Sequence, residues 1–153
     1  MARAQAQYLR LFTGSTTYHR WQSYYVGQTV NWDSGSWLYQ QFDCDGITAG
    51  QGSTDAALSV TLPATQFVVD QVERALREGW LCELSLYEFD PTAGNTTPQA
   101  AQVLVAAFTG EVVSASGGLT TITVALGSSL SPVGAQIPWR QFTTRLIGVP
   151  CQL

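Results

Sequence analysis

Two carboxylates and a thiol stand together in the sequence as Asp43, Cys44 and Asp45. A carboxylate pair can supply a general acid and a general base, as in glycosidases. Residues 43 and 45 would share one face of a strand. A glycine-rich stretch with Gly46 and Gly50 follows, however, and solvated turn carboxylates are typical of such a pattern. The segment 43–54 is therefore predicted to be a loop or a bulged strand end, with a small hydrolase as an alternative.

The other residues that could do chemistry are few. His19 is the single histidine, and no spacing assigns it as the base that a Cys44 nucleophile would need. A metal site or a histidine triad would require distant carboxylates or thiols. Gly46, Gly50 and Gly52 do not precede a helical pattern, and no lysine follows them, so no phosphate loop is predicted. The sequence predicts no enzyme, no cofactor and no metal site.

The charge of the chain bears on its partners. Its seven basic residues are all arginine, the net charge is −4, and only 12% of the residues are charged, about half the usual share of a soluble domain. Nucleic-acid recognition needs a basic surface that this sequence does not offer. A surface this poor in charge is typical of a subunit that partners cover.

The cysteines and the terminus indicate where the protein is made. Cys44, Cys82 and Cys151 are odd in number and form no Cys-x-x-Cys pair, which predicts free, mostly buried thiols in a protein made in the cytosol. The first residues lack the pattern of a signal peptide. No apolar run approaches the ~20 residues of a membrane span, so membrane insertion is not predicted.

The elements that must position these residues are mostly strands. Extended patterns cover 7–12, 18–26, 58–62, 80–87, 101–109 and 119–126, and Asp33-Ser34-Gly35-Ser36 between two aromatic segments predicts a hairpin. One amphipathic helix is predicted at 64–78, with Thr65 as its cap, Gly79 at its end and a Glu73–Arg77 pair. We expect a mainly β (α+β) chain, a barrel or sandwich of antiparallel strands, with one domain at 1–138 and an extended tail at 139–153.

Aromatic residues leave one binding function open. A platform of stacked rings could hold a sugar, although β-rich domains often use such residues as core or interface anchors. A carbohydrate-binding β-module that recognises a host surface is therefore the main alternative function. The candidate platform residues are Trp21, Tyr24, Tyr25, Trp32, Trp37 and Tyr39.

Three segments, taken in order, resemble a viral family. They are an aromatic strand followed by Val30-Asn31-Trp32 and the stretch 39–46, then a threonine- and leucine-bearing strand at 55–62, and finally Gly134-Ala135-Gln136-Ile137-Pro138-Trp139-Arg140. This order is similar to the N-terminal domain of the minor tail protein L family of lambda-like bacteriophages. There, a Gly-x-x-x-Pro-x-Arg element closes the domain.

The resemblance implies a function in assembly. It implies a tail-tube-like β-barrel in the virion that forms a trimeric or hexameric ring at the tail tip or baseplate and joins the tube to the hub or spike. Longer relatives carry an iron–sulfur cluster after the Pro-x-Arg element, but only Cys151 follows here, so no cluster is expected. We expect assembly contacts in the segments 43–54, 90–98 and 128–153; the candidate residues are Asp43, Asp45, Gly46, Gly50, Pro138, Trp139, Arg140 and Arg145.

Overall fold

The computed structural model describes residues 3–45 and 58–128. These residues form nine strands, one α-helix and a single 3-10 turn at Pro91–Ala93. The prediction of a mainly β chain with one helix is confirmed. The elements are β1 (Ala4–Thr13), β2 (Thr16–Gln22), β3 (Thr29–Trp32), β4 (Gly35–Tyr39), β5 (Asp43–Asp45), β6 (Leu58–Pro63), α1 (Gln66–Glu78), β7 (Leu81–Phe89), β8 (Val103–Gly117) and β9 (Thr121–Ser128).

All nine described strands belong to one open sheet in the order β3-β4-β2-β1-β7-β8-β9-β6-β5. Neighbouring strands are antiparallel, with one exception. The pair β2–β4 is parallel through Trp21 with Leu38 and Gln22 with Tyr39, so the sheet is mixed where an antiparallel arrangement was expected. Consecutive strands neighbour each other often, but β1 pairs with β7 far along the chain. Along the chain, α1 lies between β6 and β7, two strands that are separated in the sheet by β8 and β9.

The helix begins and ends at the residues that its caps predict. The Thr65 hydroxyl accepts a hydrogen bond from the Val68 N–H at 3.3 Å, which satisfies one free amide of the first turn. Gly79 adopts a left-handed conformation with φ 68° and donates its N–H to the Ala75 carbonyl, as a C-terminal glycine commonly does. No helix in the described ranges is both long and apolar enough to cross a membrane.

The ion pair on this helix differs from the expected one. On the described helix, Arg74 Nε lies 2.9 Å from Glu78 Oε1, whereas a pair between Glu73 and Arg77 is not formed. Both pairs have the i,i+4 spacing. The predicted Glu73–Arg77 pair was therefore wrong. The guanidinium of Arg74 also lies over the Trp80 ring, 5.3 Å from its centroid.

The strand β1 is buried on both faces. Its odd residues Leu9 and Leu11 belong to one core cluster, which also contains the buried face of α1. Its even residues Ala6 and Tyr8 belong to a second cluster with residues of the β3–β4 hairpin. Since alternate side chains of a strand point to opposite faces, β1 separates the two clusters.

The β3–β4 hairpin confirms the predicted turn. Asp33 and Ser34 have φ values of 47° and 61°, the positive values that both central residues of a type I′ turn require. The Trp37 indole N–H donates to the Trp32 carbonyl at 2.8 Å, which joins the two strands beside the turn. Trp37 is buried in the second cluster.

The strand predicted at 18–26 ends early, at Gln22. The Gln22 side chain is fully buried and binds the backbone of Tyr25 twice, accepting from its N–H and donating to its carbonyl, both at 2.7 Å. These bonds fold residues 22–25 into a turn, because they satisfy backbone groups that a strand would direct to a neighbour.

Candidate functional site

Asp43 and Asp45 lie on β5, the outermost strand of the described sheet next to β6. Asp43 pairs with Thr61 and Asp45 pairs with Ser59. Both carboxylates are exposed, while Cys44 between them is half-buried and packs against the first core cluster. The segment predicted as a loop or strand end thus begins as a strand that directs its charges into solvent.

The reactivity of the Cys44 thiol depends on its half-buried position between two exposed carboxylates. Burial, together with the neighbouring charges of Asp43 and Asp45, raises the pKa of the Cys44 thiol to about 12, and burial is the largest of these causes. A cysteine nucleophile needs the opposite shift, because the thiolate is the reactive form. Cys44 therefore remains a protonated thiol at neutral pH and contributes to packing.

His19 lies between β2 and the helix. Its Nε2 is hydrogen-bonded to Gln71 Oε1 at 2.7 Å, its ring stacks on Trp21 at 5.3 Å between centroids, and Phe67 meets it edge-on at 5.6 Å. These contacts come from the helix and from its own strand. His19 thus helps hold α1 against the sheet.

The thiols and the acidic residues of the described ranges form no metal site. Cys44 and Cys82 are free, and Cys82 is buried, which confirms the prediction for these two. Within residues 3–45 and 58–128, no group of three or more His, Cys, Asp or Glu side chains is placed to hold a metal ion. Burial raises the pKa of the Cys82 thiol as well.

Most of the other candidate residues lie outside the described residues. Those that the structure does not describe are Gly46, Gly50, Pro138, Trp139, Arg140, Arg145 and Cys151. The structure consequently places only Asp43 and Asp45 of the predicted assembly residues.

The aromatic residues proposed for sugar stacking divide into two groups. Trp21, Tyr25 and Trp37 are buried, with exposed fractions of 1%, 2% and 7%. The rings of Tyr24, Trp32 and Tyr39 are half-buried. A concave surface beside the β3–β4 turn includes Trp32 and the polar residues around it. The buried rings act as core anchors. Trp32 is one of the residues that line this concave surface, and its ring meets Tyr87 edge-on at 5.4 Å between centroids.

The segment predicted as a loop at 90–98 is exposed but ordered by its own hydrogen bonds. The Asp90 carboxylate accepts from the Thr92 N–H at 2.9 Å and from the Thr92 hydroxyl at 2.6 Å. The Gln99 amide N–H donates to the carbonyls of Asp90, at 2.8 Å, and of Gly94. These bonds hold one shape while residues 92–97 stay exposed, which suits a preformed contact surface.

Beside this loop, the start of β8 exposes apolar side chains. Val103, Leu104 and Val105 are 64%, 50% and 50% exposed. We call the loop 90–99 together with residues 103–105 the assembly end. Sequence reasoning recognised the strand but missed its exposure. The run Val-Leu-Val-Ala-Ala-Phe is apolar on both faces, a pattern that is typical of a fully buried strand and therefore gives no signal of exposure.

Comparison of the chain with protein-family models and with curated proteins finds no match.

Proposed function

We propose that this chain is a structural subunit of a bacteriophage tail tip or baseplate. In this role, copies of the chain form a trimeric or hexameric ring that connects the tail tube to the central hub or spike. The chain is made in the host cytoplasm, becomes part of the virion and catalyses no reaction. Its partners are its own copies and other tail proteins, with neither nucleic acid nor membrane among them.

The assembly end is the observation that carries this proposal. An ordered, exposed loop lies next to Val103, Leu104 and Val105, which expose half or more of their surface. Contiguous exposed apolar surface of this kind marks protein contacts. The hydrogen bonds within the loop 90–99 already fix its shape, so the loop would lose less conformational entropy when a partner binds.

Two features of the sequence support the same role. Only 12% of residues are charged, and interface cores are depleted in charged residues. Within the described residues, α1 stands between two sets of strands along the chain, which is the order that the resemblance to the tail protein family implies.

The test uses a phage that encodes this chain. The phage gene for the chain is inactivated, and a plasmid in the host supplies the wild type or a variant. We expect the full chain in purified particles, located at the tail tip by immunogold electron microscopy. A variant that lacks residues 139–153 should keep the circular dichroism spectrum and melting temperature of the full chain, yet be missing from particles. If full-length chain is absent from particles, the tail function is wrong; if the truncated chain enters normally, the assignment of the tail segment is wrong.

A carbohydrate-binding β-module is the second candidate function, because Trp32 borders the groove at the β3–β4 turn together with Asn31 and Asp33. Indole rings that border polar groups are suited to stacking on sugars. A glycan array followed by a fluorescence titration separates the two functions. Saturable quenching that disappears in Trp32→Ala and persists in a Leu119→Ala control would favour the module.

A further inference from the structure

Buried polar atoms without a hydrogen-bond partner are concentrated at one place in the molecule. Within residues 3–45 and 58–128, four of the six such side-chain atoms belong to Tyr8, Tyr25 and Gln102. They are the two tyrosine hydroxyls and both polar atoms of the Gln102 amide. The exposed fractions of the three residues are 1%, 2% and 8%. Because buried polar groups of native proteins almost always have a partner, this concentration calls for one.

The Tyr8 hydroxyl is the point where the three side chains meet. Burial raises the pKa of Tyr8, and polar contact with Gln102 and then with Tyr25 partly opposes this rise. Burial also raises the pKa of Tyr25, and the neighbouring Tyr8 adds to that rise. The three groups are thus neighbours, yet none of their four atoms has the distance and angles of a hydrogen bond to another described group.

The three side chains come from different parts of the chain. Tyr8 lies on β1, and Tyr25 lies in the turn that the Gln22 side chain holds; both belong to the second core cluster. Gln102 directly precedes β8, and its backbone N–H donates to the Gln99 carbonyl at 3.2 Å. Whatever these side chains hold together therefore joins β1, the turn 22–25 and the start of β8.

We propose that Tyr8, Tyr25 and Gln102 bind one ordered internal water molecule. A buried water typically makes about two to four hydrogen bonds to polar groups that otherwise have no partner. Each hydroxyl can donate and accept, while the amide offers two N–H donors and a carbonyl acceptor. Water donates two hydrogen bonds and accepts two, so a single molecule can bond to all three side chains.

The chemistry of the site selects a neutral and small ligand. Among the described residues, the second core cluster contains neither a carboxylate nor a guanidinium, and an unpaired charge is costly to bury. A cation and an anion are therefore both disfavoured. The low exposure of Tyr8, Tyr25 and Gln102 leaves no opening for a larger polar molecule, so water is the ligand that fits.

The water site connects the interior to the assembly end. The Gln99 side chain donates to the carbonyls of Asp90 and Gly94, and the Gln99 carbonyl accepts from the backbone of Gln102. A path of polar contacts thus runs from the exposed loop to the buried hydroxyls. The inference goes beyond the proposed function, because a single folded copy of the chain should contain this water whether or not it assembles.

The experiment detects the water by NMR in the full chain. Nuclear Overhauser effects between water and the side-chain amide protons of Gln102 should have the sign of a molecule that tumbles with the protein, opposite to that of surface hydration water. Oxygen-17 relaxation dispersion should count one more long-lived water in the wild type than in the triple variant Tyr8→Phe/Tyr25→Phe/Gln102→Leu. The triple variant removes all four polar atoms, and an apolar site stays dry.

The matched control is Tyr24→Phe. Tyr24 packs against the same cluster, but its hydroxyl is not among the buried atoms without a partner, so this variant should retain the water of the wild type. If the triple variant does not keep a cooperative melting transition, Gln102→Leu alone removes two of the four polar atoms. The residence time of the water should then fall severalfold, because hydrogen bonds to it are lost.

Three results would overturn the inference. The first is a wild type in which the Gln102 amide protons show no such effect from water. The second is an equal number of long-lived waters in the wild type and the triple variant. The third is a high-resolution crystal structure in which Tyr8 bonds directly to Gln102 or Tyr25 with no water between them.

Discussion

The ring of Tyr18 stacks on the indole of Trp80, with centroids 4.0 Å apart and planes inclined by 6°. Tyr18 lies on β2, and Trp80 lies between the end of α1 and the start of β7. Arg74 of the helix places its guanidinium 5.4 Å from the Tyr18 centroid, and Glu78 accepts a hydrogen bond from the Trp80 indole at 2.8 Å. One stacked pair thus joins three elements of the fold.

Replacing Trp80 by alanine should therefore be among the most destabilising single changes. Trp80 is fully buried, and removing a buried tryptophan costs roughly 3–5 kcal/mol through lost burial and the cavity left behind. Urea unfolding of Trp80→Ala measures this loss in the free energy of unfolding. Leu119→Ala is the control, because Leu119 is fully exposed and surface changes stay within about 0.5 kcal/mol. Equal losses in both variants would contradict the central place of Trp80.

Gly79 provides a prediction about the backbone alone. A Cβ at this position would meet only Glu111 Oε1 at 3.6 Å, an ordinary contact, but φ is +68°. Gly79→Ala should therefore cost about 1–2 kcal/mol, because the left-handed conformation is unfavourable for residues with a Cβ. Thermal or urea unfolding measures the loss.

The control for Gly79 is Gly118→Ala. A Cβ there would meet no atom within 4 Å, and its φ lies outside the left-handed range. Because alanine also reduces the entropy of the unfolded chain, this change should be neutral or slightly stabilising. Gly79→Ala should thus lower the free energy of unfolding, whereas Gly118→Ala should leave it unchanged or raise it slightly. An equal loss in both variants would show that the left-handed backbone of Gly79 is not the cause.

The parts of the fold that could be predicted depend on residues close in sequence. Thr65 and Gly79 mark the ends of the helix, and the turn at Asp33 and Ser34 is set by its two strands. The surroundings of the Arg74–Glu78 ion pair could not be predicted, since Arg74 also lies over the rings of Tyr18 and Trp80 outside the helix. The order of the strands is likewise non-local, because it depends on which remote segments bury each other's faces.

The candidate site also combines features that depend on nearby residues with features that depend on distant strands. Asp43 and Asp45 were recognised as exposed carboxylates, but their place on an outer strand depends on the partner strand β6. The pattern of Val103, Leu104 and Val105 predicts a strand. It does not predict exposure, because a run apolar on both faces is also typical of a fully buried strand. Only the neighbouring strands reveal that one edge of this run is open among the described residues.

The thiols should be almost unreactive in the folded protein. A thiol with a pKa of about 12, as for Cys44, is a thiolate in roughly one molecule in ten thousand at pH 8. Cys82 is fully buried and its pKa is raised as well. In a Cys151→Ser variant, iodoacetamide should modify neither residue appreciably in buffer and both rapidly in urea, as followed by mass spectrometry. Rapid modification of Cys44 in buffer would show that it is an activated nucleophile instead.

The turn at Asp90 should become less stable in acid. The hydroxyl and the backbone N–H of Thr92 both donate to the Asp90 carboxylate, and they lower its pKa below its ordinary value of 3.8. A group whose pKa is lower in the folded state stabilises that state above its unfolded pKa, and the contribution disappears as the pH falls through the folded pKa. An NMR titration should therefore place the Asp90 pKa below 3.8 in the wild type and nearer that value in Thr92→Val. The pKa of Asp90 in Thr92→Val should not return fully to 3.8, because the backbone N–H of residue 92 still donates to the carboxylate. If Asp90 titrates at the same pH in both proteins, the Thr92 hydroxyl does not hold this turn of the assembly end in place.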